Sequence, residues 1–590
     1  MERKKIGIGY EDYREFIDGN MYYVDKTLLI RDLLKTGEKV TLFTRPRRFG
    51  KTLALSMLRT FFEKELDRDG NVIDKLPYFQ GKKIMDCGED ILSGMGKYPV
   101  IKLSLKSAKQ PDFRSAFLML RGQIIGEYKR HQYLMNSEKL NETEKIRFDN
   151  ICKGDVKWDE RMAGFSSEKE ESRAFGLELV QYGDSLRILS ELLEKHFGSK
   201  TIIFIDEYDV PLENAWHRGF YDEMVDFFRS LFESALKTND ALEFAVVTGC
   251  LRISRESIFT GLNHLDVNSI LSSNFGEYFG FTPMETEEML RAYGLGEKVD
   301  EVREWYDGYL FGEVEVYNPW SVIKYVREHE SDPHRFAEPY WANTSSNDIV
   351  RELVVNADEK VREELNQLIL GENIEKRIHE DITYGDIYES EDNLWSFLFF
   401  TGYLRKVSER REGRDIYLTM RIPNEEVAGI YSNHMVSWFD GVIKKADRKR
   451  LYGAIACHDT DGIADYVSGL LEQSISTFDS QEGFYHGFLT SLLYGFPAYR
   501  VQTNREEGIG RPDIVLYPNR PKDPAYLFEV KACKKFNQME DGLNKALDQI
   551  RDRKYEEGVL NDGYAGCVSF GICFCRKSCI AGLFKDNDGK

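Results

Sequence analysis

Four short runs of almost wholly apolar, β-favouring residues recur through the first half of the chain, with stretches of helical periodicity between several of them. The runs cover residues 40–44, 98–105, 201–205 and 245–248. A strand that is apolar all round must be covered on both faces, as in a parallel sheet with helices packed above and below it. The sequence therefore predicts an α/β domain in the N-terminal half of the chain.

The length and charge of the chain limit what else it contains. At 590 residues it is longer than one hydrophobic core covers, so we expect several domains. Lys and Arg number 80 against 100 Asp and Glu, which gives a formal charge of −20. This balance excludes a surface coated with basic groups, so any contact with nucleic acid has to be local.

The sequence pattern lacks the usual signals for export or membrane insertion. The first residues, MERKKIGIGYEDYREF, are charged, and no uncharged run of about 18 residues occurs in the chain. The 9 cysteines are an odd number in a long chain, which fits a reducing compartment better than a disulfide framework. We therefore expect a cytoplasmic protein that does not contact a membrane.

Changes in composition and periodicity predict three domains. The α/β domain is placed at residues 1–317, and its heavily charged stretch 125–175 is interpreted as a solvated helical insertion. Helices followed by a hairpin, over residues 318–450, are typical of a winged-helix-like module, although a helical linker with one hairpin would give the same pattern. The elements predicted there are helices at 349–369 and 394–404 and strands at 405–408 and 416–421.

A separate α/β unit is predicted over residues 451–590. Strand-like apolar runs alternate there with two helical stretches. The predicted helices are 482–494 and 538–555, and the predicted strands are 499–503, 514–517, 526–531 and about 565–574.

A glycine, a lysine and a threonine, Gly50, Lys51 and Thr52, follow the first apolar run after a short turn and open a helical stretch. A nucleoside triphosphate requires backbone N–H groups at a helix N-terminus, a lysine for the β- and γ-phosphate oxygens and a hydroxyl for Mg²⁺. The tripeptide supplies these groups in the required order. The first glycine of the usual phosphate-loop pattern is replaced by Arg45, so the tripeptide alone is weak support for a nucleotide site.

Two acids, Asp206 and Glu207, end the third apolar run. A carboxylate delivered by a parallel strand beside a phosphate loop can hold Mg²⁺, and a second acid can orient or deprotonate the attacking water. We assign Asp206 to Mg²⁺ and Glu207 to the water. A helix-capping pair is the alternative, but the acids and the Gly-Lys-Thr turn together support each other.

Polar groups also follow the fourth apolar run. Thr248 ends the run, and Arg252, Arg255 and Asn263 come after it. Groups at such a position can sense the γ-phosphate, and an arginine can stabilise charge that develops during transfer. Arg252 and Arg255 are three residues apart and would share a helical face, so surface salt bridges are an equal alternative.

A second set of charged residues lies near the C-terminus. Asp513 precedes one predicted strand, and Glu529 and Lys531 end the next. Residues two apart on a strand point to the same face, so Glu529 and Lys531 project together, and Asp513 joins them if the strands form a hairpin. Two carboxylates at one point can hold a divalent cation, which makes a bound water acidic enough to attack a phosphodiester. Exposed hairpin charges are the alternative.

Several motifs together carry a resemblance to a known family. RPRRFGKT, IDEYD, VTGCLRISRESIFTGLN, WYDGYLFG and VYNPWS resemble the bacterial AAA-ATPase-like family that carries a C-terminal PD-(D/E)XK nuclease domain. In that family an arginine-rich loop replaces the first glycine, which implies nucleotide-binding roles for Arg47 and Arg48. The segment 23–27 belongs to the same pattern, with no physical role beyond packing near the nucleotide.

The resemblance also extends to the C-terminal residues. Asp513, Glu529 and Lys531 match the nuclease motif residue by residue, which implies a metal site of Asp513 and Glu529 with Lys531 beside it. Glu482 and Gln549 resemble accessory positions in related nucleases, and each could equally be plain helix surface. Tyr555 lies six residues past Gln549, on another helical face, so we do not pair the two.

These observations predict a P-loop ATPase coupled through a winged-helix-like middle to a metal-dependent nuclease. The expected cofactors are ATP and Mg²⁺, with Mn²⁺ an option at the nuclease site. The expected partner is nucleic acid, with DNA favoured over RNA, and a homo-oligomer is left open. The alternative is a nucleotide-dependent switch whose last domain binds nucleic acid or a partner without cutting.

Overall fold

The computed structural model divides the chain into two compact units. The first comprises Met1–Ser345 and Glu375–Val427, and the second comprises Ser346–Ile374 and Ala428–Lys590. The domain boundaries predicted above stay a prediction. The structure describes residues 3–67, 70–106, 108–154, 168–252, 258–259, 262, 264–332, 335–341, 350, 359–369, 371–387, 390–431, 447–474, 482–493, 496–503, 512–520, 522–561 and 563–585.

The strands of the described ranges fall into four sheets. They are β1 (Val40–Thr44), β2 (Val100–Ser104), β3 (Thr201–Asp206), β4 (Leu242–Gly249), β5 (Leu265–Asn268), β6 (Tyr309–Phe311), β7 (Val314–Val316), β8 (Ile374–Ile378), β9 (Arg405–Glu412), β10 (Asp415–Arg421), β11 (Tyr499–Thr503), β12 (Ile514–Pro518), β13 (Ala525–Ala532), β14 (Cys567–Cys575) and β15 (Ser578–Leu583).

Helices separate most of these strands. They are α1 (Tyr13–Asp18), α2 (Leu28–Thr36), α3 (Lys51–Phe62), α4 (Leu76–Phe79), α5 (Glu89–Leu92), α6 (Phe113–Arg130), α7 (Glu142–Lys153), α8 (Glu168–Gly183), α9 (Ser185–Phe197), α10 (Val210–Arg218), α11 (Tyr221–Phe232), α12 (Pro283–Ala292), α13 (Val299–Tyr306), α14 (Pro319–His329), α15 (Glu359–Ile369), α16 (Glu391–Phe400), α17 (Lys449–Ala456), α18 (Thr460–Ser474), α19 (Glu482–Leu493), α20 (Met539–Arg553) and α21 (Tyr555–Asn561). Among the described residues, none of these helices is long and apolar enough to cross a membrane.

The first unit is built on a five-stranded parallel sheet with the order β2-β3-β4-β1-β5. The four apolar runs form β1 to β4, and β1 and β3 are buried along their whole length. This confirms the predicted α/β class. The sequence did not reveal β5, because its four residues, LDVN, include two polar ones and make a weak strand signal.

The charged insertion of this unit is helical where the structure describes it. Helices α6 and α8 flank it and are joined by ion pairs from Arg114 to Glu171 (2.5 Å) and from Arg121 to Glu178 (2.6 Å). The pairs recur at a constant sequence offset, so they hold the register of the two helices. Part of the predicted stretch, residues 155–167, lies outside the described residues.

A small antiparallel sheet with the order β8-β10-β9 follows in the chain. The predicted hairpin is present as β9 and β10, and β9 is longer than expected because its polar residues, SERRE, hide its strand character. The strand β8 was not foreseen. The assignment of this region as winged-helix-like stays a prediction.

The second unit contains a mixed sheet with the order β11-β12-β13-β14-β15. Neighbouring strands are antiparallel except β13 and β14, which run parallel and are connected through α20. Val515, Leu527 and Ile550 belong to its apolar core. The predicted strands are present, but the last strand, β15, was missed because SCIAGL has no apolar alternation.

A buried carboxylate in the first unit joins distant parts of its chain. Glu426 is 0% exposed and accepts hydrogen bonds from Ser321 Oγ (2.8 Å) and from the backbone N–H of Trp341 (2.6 Å). Ser321 lies in the first turn of α14, which Asn318 caps through its side-chain oxygen. Burial raises the pKa of Glu426 from 4.5 to about 7, because a charged carboxylate is poorly solvated there.

Replacement of Glu426 by glutamine tests this burial. Between pH 4.5 and 7 the folded state holds a proton at Glu426 that the unfolded state has released, so this group makes the free energy of unfolding fall as pH rises. We expect Glu426→Gln to match wild type near pH 4.5 and to exceed it above pH 7 by on the order of 3 kcal/mol. Urea unfolding across this pH range measures the difference, and equal pH profiles would contradict the prediction.

Candidate functional site

One carboxylate at the edge of the parallel sheet joins three elements. Asp206, the last residue of β3, accepts hydrogen bonds from Thr52 Oγ1 (2.7 Å) and from Thr248 Oγ1 (2.5 Å). Thr52 lies in the first turn of α3, and Thr248 lies near the end of β4. Because β4 is the neighbour of β3 in the sheet, its threonine lies next to the acid. The structure thus brings these three predicted residues together.

The lysine of the phosphate-loop motif is buried beside this cluster. Lys51 begins α3, and its ammonium donates hydrogen bonds to the carbonyls of Arg45 (2.7 Å) and Pro46 (2.8 Å). Gly50 caps the helix with φ of 85°, a left-handed conformation that a side chain would strain. The backbone therefore turns sharply into the helix, with the lysine at its N-terminus.

The second predicted acid sits in an unusual backbone conformation. Glu207 has φ of 54°, which is rare for a residue with a side chain, and it lines a cavity together with Lys51. Burial raises the pKa of Glu207, and the charge of Asp206 raises it further. A carboxyl with a raised pKa is better suited to take a proton from water than an ordinary surface acid.

A third acid, Asp209, was missed by the sequence reasoning. It is buried and accepts hydrogen bonds from the backbone N–H groups of Cys250 (2.7 Å) and Leu251 (3.2 Å). Gly249 permits this approach, because an added Cβ would lie only 2.5 Å from Tyr208 Cε1. Asp209 thus fixes the loop after β4 to the segment after β3. Its place three residues after Asp206 in the IDEYD motif was the available signal.

The arginines of the loop have different surroundings. Arg45, at the position of the missing glycine, is fully buried between the rings of Phe279 and Phe311 and donates to the carbonyl of Asn268 (2.6 Å). It therefore ties the loop to the end of β5. Arg47 pairs with Glu213 (2.6 Å), and Arg48 lies 4.6 Å from the ring centre of Trp320; both arginines line the cavity.

Of the two arginines proposed to sense phosphate, Arg252 is described by the structure. Arg252 forms ion pairs with Asp381 (2.8 Å) and Glu380 (3.3 Å), which belong to the segment that connects β8 to α16. This geometry agrees with the salt-bridge alternative at least as well as with phosphate sensing. Arg255 and Asn263 lie outside the described residues.

A cavity of about 500 Å³ opens beside the phosphate loop. Its lining combines residues 50–52 with the N-terminal segment 22–24 and with Trp320 and Ile323 of α14. The family segment 23–27, for which the sequence suggested only packing near the nucleotide, contributes Tyr23, Val24 and Lys26 to the wall. The cavity falls within the volume range of ordinary small-ligand sites.

The second unit brings the C-terminal acids and lysine together. Lys531 Nζ lies 3.1 Å from Glu529 Oε1, and Asp513 Oδ2 accepts a hydrogen bond from the N–H of Val530 (2.8 Å). Strands β12 and β13 form the expected hairpin, with Ile514 opposite Phe528. Glu529 is 0% exposed, and its Oε2 has no hydrogen-bond partner within the described residues. Burial raises the pKa of Glu529 to about 7, and the charge of Asp513 adds to the effect.

Two further groups surround this cluster. Gln549 Nε2 donates to the hydroxyl of Tyr555 (3.2 Å), so the prediction that these residues do not pair was wrong. Helix α20 ends at Arg553, and Lys554 takes a left-handed conformation that turns Tyr555 back toward Gln549. Burial raises the pKa of Tyr555, and the charges of Glu529 and Asp513 raise it further.

The helix before the hairpin also reaches this site. His486 of α19 lies with Nε2 2.9 Å from the carbonyl oxygen of Asp513. Glu482 begins α19, but its side chain lies outside the described residues. Its accessory role therefore stays a prediction.

The donor sets at both sites fit Mg²⁺. At the sheet edge, Thr52 and Asp206 supply a hydroxyl and a carboxylate, and at the hairpin Asp513 and Glu529 supply two carboxylates; the unpartnered Oε2 of Glu529 is a free ligand atom. Among the described residues, no three His, Cys, Asp or Glu side chains cluster as a metal site. Mg²⁺ commonly takes only one or two protein carboxylates, with water and phosphate oxygens completing its shell.

The fold and the geometry define a multidomain α/β protein with a P-loop-type sheet in one unit and a carboxylate–lysine hairpin in the other. Residues 7–259 match the family model described as a predicted AAA-ATPase, and residues 480–582 match the PD-(D/E)XK nuclease superfamily. The chain therefore carries an AAA-ATPase-like domain and a C-terminal PD-(D/E)XK nuclease superfamily domain, as its motifs predicted.

Two known proteins resemble this chain over much of its length. An "uncharacterized protein in vnfD 5′region" from Azotobacter chroococcum mcd 1 is 25% identical over 567 residues, which cover 94% of each chain. A solved structure described as the Walker-type ATPase PABY2304 of Pyrococcus abyssi aligns with 73% of this chain and 99% of its own. Its identity of 14% and TM-score of 0.33 are too low to carry an argument about this fold.

The buried lysine gives the first test of the nucleotide site. Lys51→Ala removes the cation that begins α3, and hydrogen bonds to charged groups contribute strongly to phosphate binding. We expect the affinity for a fluorescent ATP analogue to fall by at least about 100-fold. The exposed Lys237→Ala is the control. Unchanged affinity of Lys51→Ala would exclude a phosphate-binding role for Lys51.

Proposed function

We propose that the protein binds and hydrolyses ATP and couples this cycle to a metal-dependent nuclease that acts on nucleic acid. The observation that carries the proposal is the meeting of Thr52, Asp206 and Thr248 beside Lys51 and a 500 Å³ cavity. These groups come from three separate parts of the sequence. They meet at the carboxyl ends of parallel strands, which is where open α/β sheets bind their ligands.

In the proposed ATPase reaction, each residue acts through its position. The backbone at the start of α3 and the ammonium of Lys51 bind the phosphates, and the ammonium exchanges its carbonyl partners for phosphate oxygens. Thr52 and Asp206 would hold Mg²⁺, which neutralises charge on the phosphates when bound. Glu207, whose pKa is raised, orients the attacking water and takes its proton.

In the proposed nuclease reaction, Asp513 and Glu529 would hold the divalent cation, and Mn²⁺ would serve as well as Mg²⁺. The cation, when bound, supplies an acidified water and stabilises negative charge on the phosphodiester. Lys531 is held 3.1 Å from Glu529 and donates to the water or to the charge that develops on phosphate. The hydroxyl of Tyr555, which Gln549 orients, completes the polar wall of the site.

The cellular setting follows from these activities as part of the proposal. The chain acts in the cytoplasm on DNA, in defence or in the maintenance of mobile elements, as a monomer or a homo-oligomer. The region 318–450 acts as a winged-helix-like element that transmits the nucleotide cycle. Support for this setting comes from the match of residues 480–582 to the PD-(D/E)XK nuclease superfamily.

Replacing Glu207 separates nucleotide binding from hydrolysis. Glu207→Gln keeps the size of the side chain but removes its capacity to take a proton. We expect ATP affinity close to wild type and a turnover at least about 100-fold lower. Phosphate release measured under saturating Mg²⁺ and ATP gives the turnover, with the exposed Glu223→Gln as control. Full turnover by the Glu207 variant would remove it from the catalytic assignment.

Replacing Asp513 tests the nuclease assignment. Asp513→Asn keeps an acceptor for the N–H of Val530 but lacks a carboxylate, so it is expected to fold normally. We expect cleavage of labelled DNA in Mg²⁺ or Mn²⁺ to disappear, and Asp513→Ala to behave alike. Asp548→Ala, on the exposed side of α20, is the control. Cleavage retained by both Asp513 variants would contradict the assignment, and binding without any cleavage by wild type would favour a switch.

A further inference from the structure

Three exposed residues follow the strand that carries Glu529 and Lys531. Lys534, Lys535 and Phe536 follow β13 after the single residue Cys533, and the phenylalanine is 57% exposed. Within the described ranges, neither lysine side chain forms an ion pair or a hydrogen bond. An aromatic ring and two free cations therefore stand together on the surface. We name this segment, residues 534–536, the KKF loop.

The KKF loop is held in place by its backbone. The N–H of Cys533 donates to the carbonyl of Phe574 (2.9 Å), so the loop begins hydrogen-bonded to β14. The carbonyl of Lys535 accepts from Cys533 Sγ (3.4 Å) and from the N–H of Gln538 (2.9 Å). Phe536 itself opens a short 3₁₀ turn that leads into α20. The exposed ring is thus presented by a hydrogen-bonded segment.

The KKF loop is close to the carboxylate–lysine cluster. Lys535 is four residues past Lys531 along the same chain segment, so their Cα atoms are at most about 14 Å apart. A polynucleotide strand whose phosphate lies at Lys531 therefore passes within reach of the loop. Lys545, which is also exposed, lies one helical turn before Gln549 on α20 and adds a cation on that face.

The chemistry of the KKF loop fits one class of ligand. Lysine ammonium groups bind phosphates, and an exposed aromatic ring stacks on a base whose face is accessible. Bases in a duplex are already stacked on their neighbours, whereas bases of a single strand are accessible. The rest of the chain is strongly acidic, so a cationic loop beside the cluster is a local exception suited to a polyanion.

We infer that the KKF loop binds single-stranded nucleic acid next to the scissile phosphate, with Phe536 stacking on a base and Lys534 and Lys535 contacting flanking phosphates. The inference rests on the proposed nuclease function and specifies its substrate: a strand that is unpaired at the site of cutting. A blunt duplex lacks an accessible base for Phe536 and binds more weakly.

The test measures binding separately from cutting. Fluorescence anisotropy in Ca²⁺ follows a labelled single strand and the same strand annealed to its complement, with the full-length chain. Phe536→Ala is expected to weaken single-strand affinity by about 5- to 100-fold, and Phe536→Trp to retain it. K534Q/K535Q is expected to lower the slope of log affinity against log salt by about 1.4, at about 0.7 per phosphate contact.

The control variant loses the same amount of positive charge, but at the other end of β13. R520Q/K522Q removes two exposed cations just before β13, about 23 Å from its far end. We expect this variant to bind with wild-type affinity and salt dependence. Because all the changed side chains are exposed, the unfolding temperature of each variant is expected to match wild type, which a thermal melt checks.

The outcomes separate the inference from the proposed nuclease function. Equal single-strand affinity of wild type, Phe536→Ala and K534Q/K535Q overturns the inference, even if cutting in Mg²⁺ is normal. Preference of wild type for the duplex also overturns it. If wild type cuts neither probe while its single-strand affinity depends on Phe536, the nuclease function fails, and only single-strand binding by the KKF loop stands.

Discussion

The shared carboxylate of Asp206 is the interaction on which the nucleotide site depends. A carboxylate buried at a strand end is costly unless its oxygens are hydrogen-bonded, and here each oxygen accepts from a different threonine. Thr52 brings the first turn of α3 to the acid, and Thr248 brings the end of β4. The phosphate loop, the acidic strand and the end of β4 are therefore held in one arrangement around a single group.

Asp209 is a second buried carboxylate that joins separate segments through hydrogen bonds. It accepts two backbone N–H groups from the loop after β4, and Arg252 of that loop pairs with acids beyond β8. The loop after β4 is thus held by Asp209 at one point and by Asp381 at another. Arg252 is engaged in ion pairs with Glu380 and Asp381.

The C-terminal cluster uses a buried acid in a comparable way. Glu529 is buried on β13 and lies near Asp513. Among the described residues, one of its oxygens is paired with Lys531 and the other has no partner. Such an arrangement is unfavourable for an acid with a purely structural role, since burial and a like charge both oppose ionisation. It is suited to holding a divalent cation.

The sequence predicted most of this architecture because its informative signals are local. Apolar runs identify β1 to β4, and the two-residue period of β13 places Glu529 and Lys531 on one face. Strand order is not local, so nothing in the sequence placed β4 between β1 and β3 or revealed that Thr248 would reach Asp206. The pairing of Gln549 with Tyr555 was missed because it depends on the left-handed Lys554, which breaks the helical geometry assumed from spacing.

The contribution of segment 22–24 to the cavity wall could be anticipated only through the family resemblance, and not from residue spacing. These residues are almost 30 positions before Gly50, and the contact arises only from tertiary folding. The role of Arg45 likewise depends on contacts that arise only from tertiary folding. Its replacement of a glycine becomes intelligible only with Phe279, Phe311 and Asn268, which surround it from more than two hundred residues away.

A double-mutant cycle on Thr52 and Asp206 tests the central claim most directly. The dissociation constant of ATP with Mg²⁺ is measured for wild type, Thr52→Val, Asp206→Asn and the double variant. If both side chains serve one Mg²⁺–phosphate site, the two single losses will not add, and the coupling will be at least about 1 kcal/mol. Additivity within about 0.3 kcal/mol would show that the two groups act independently and would contradict the account.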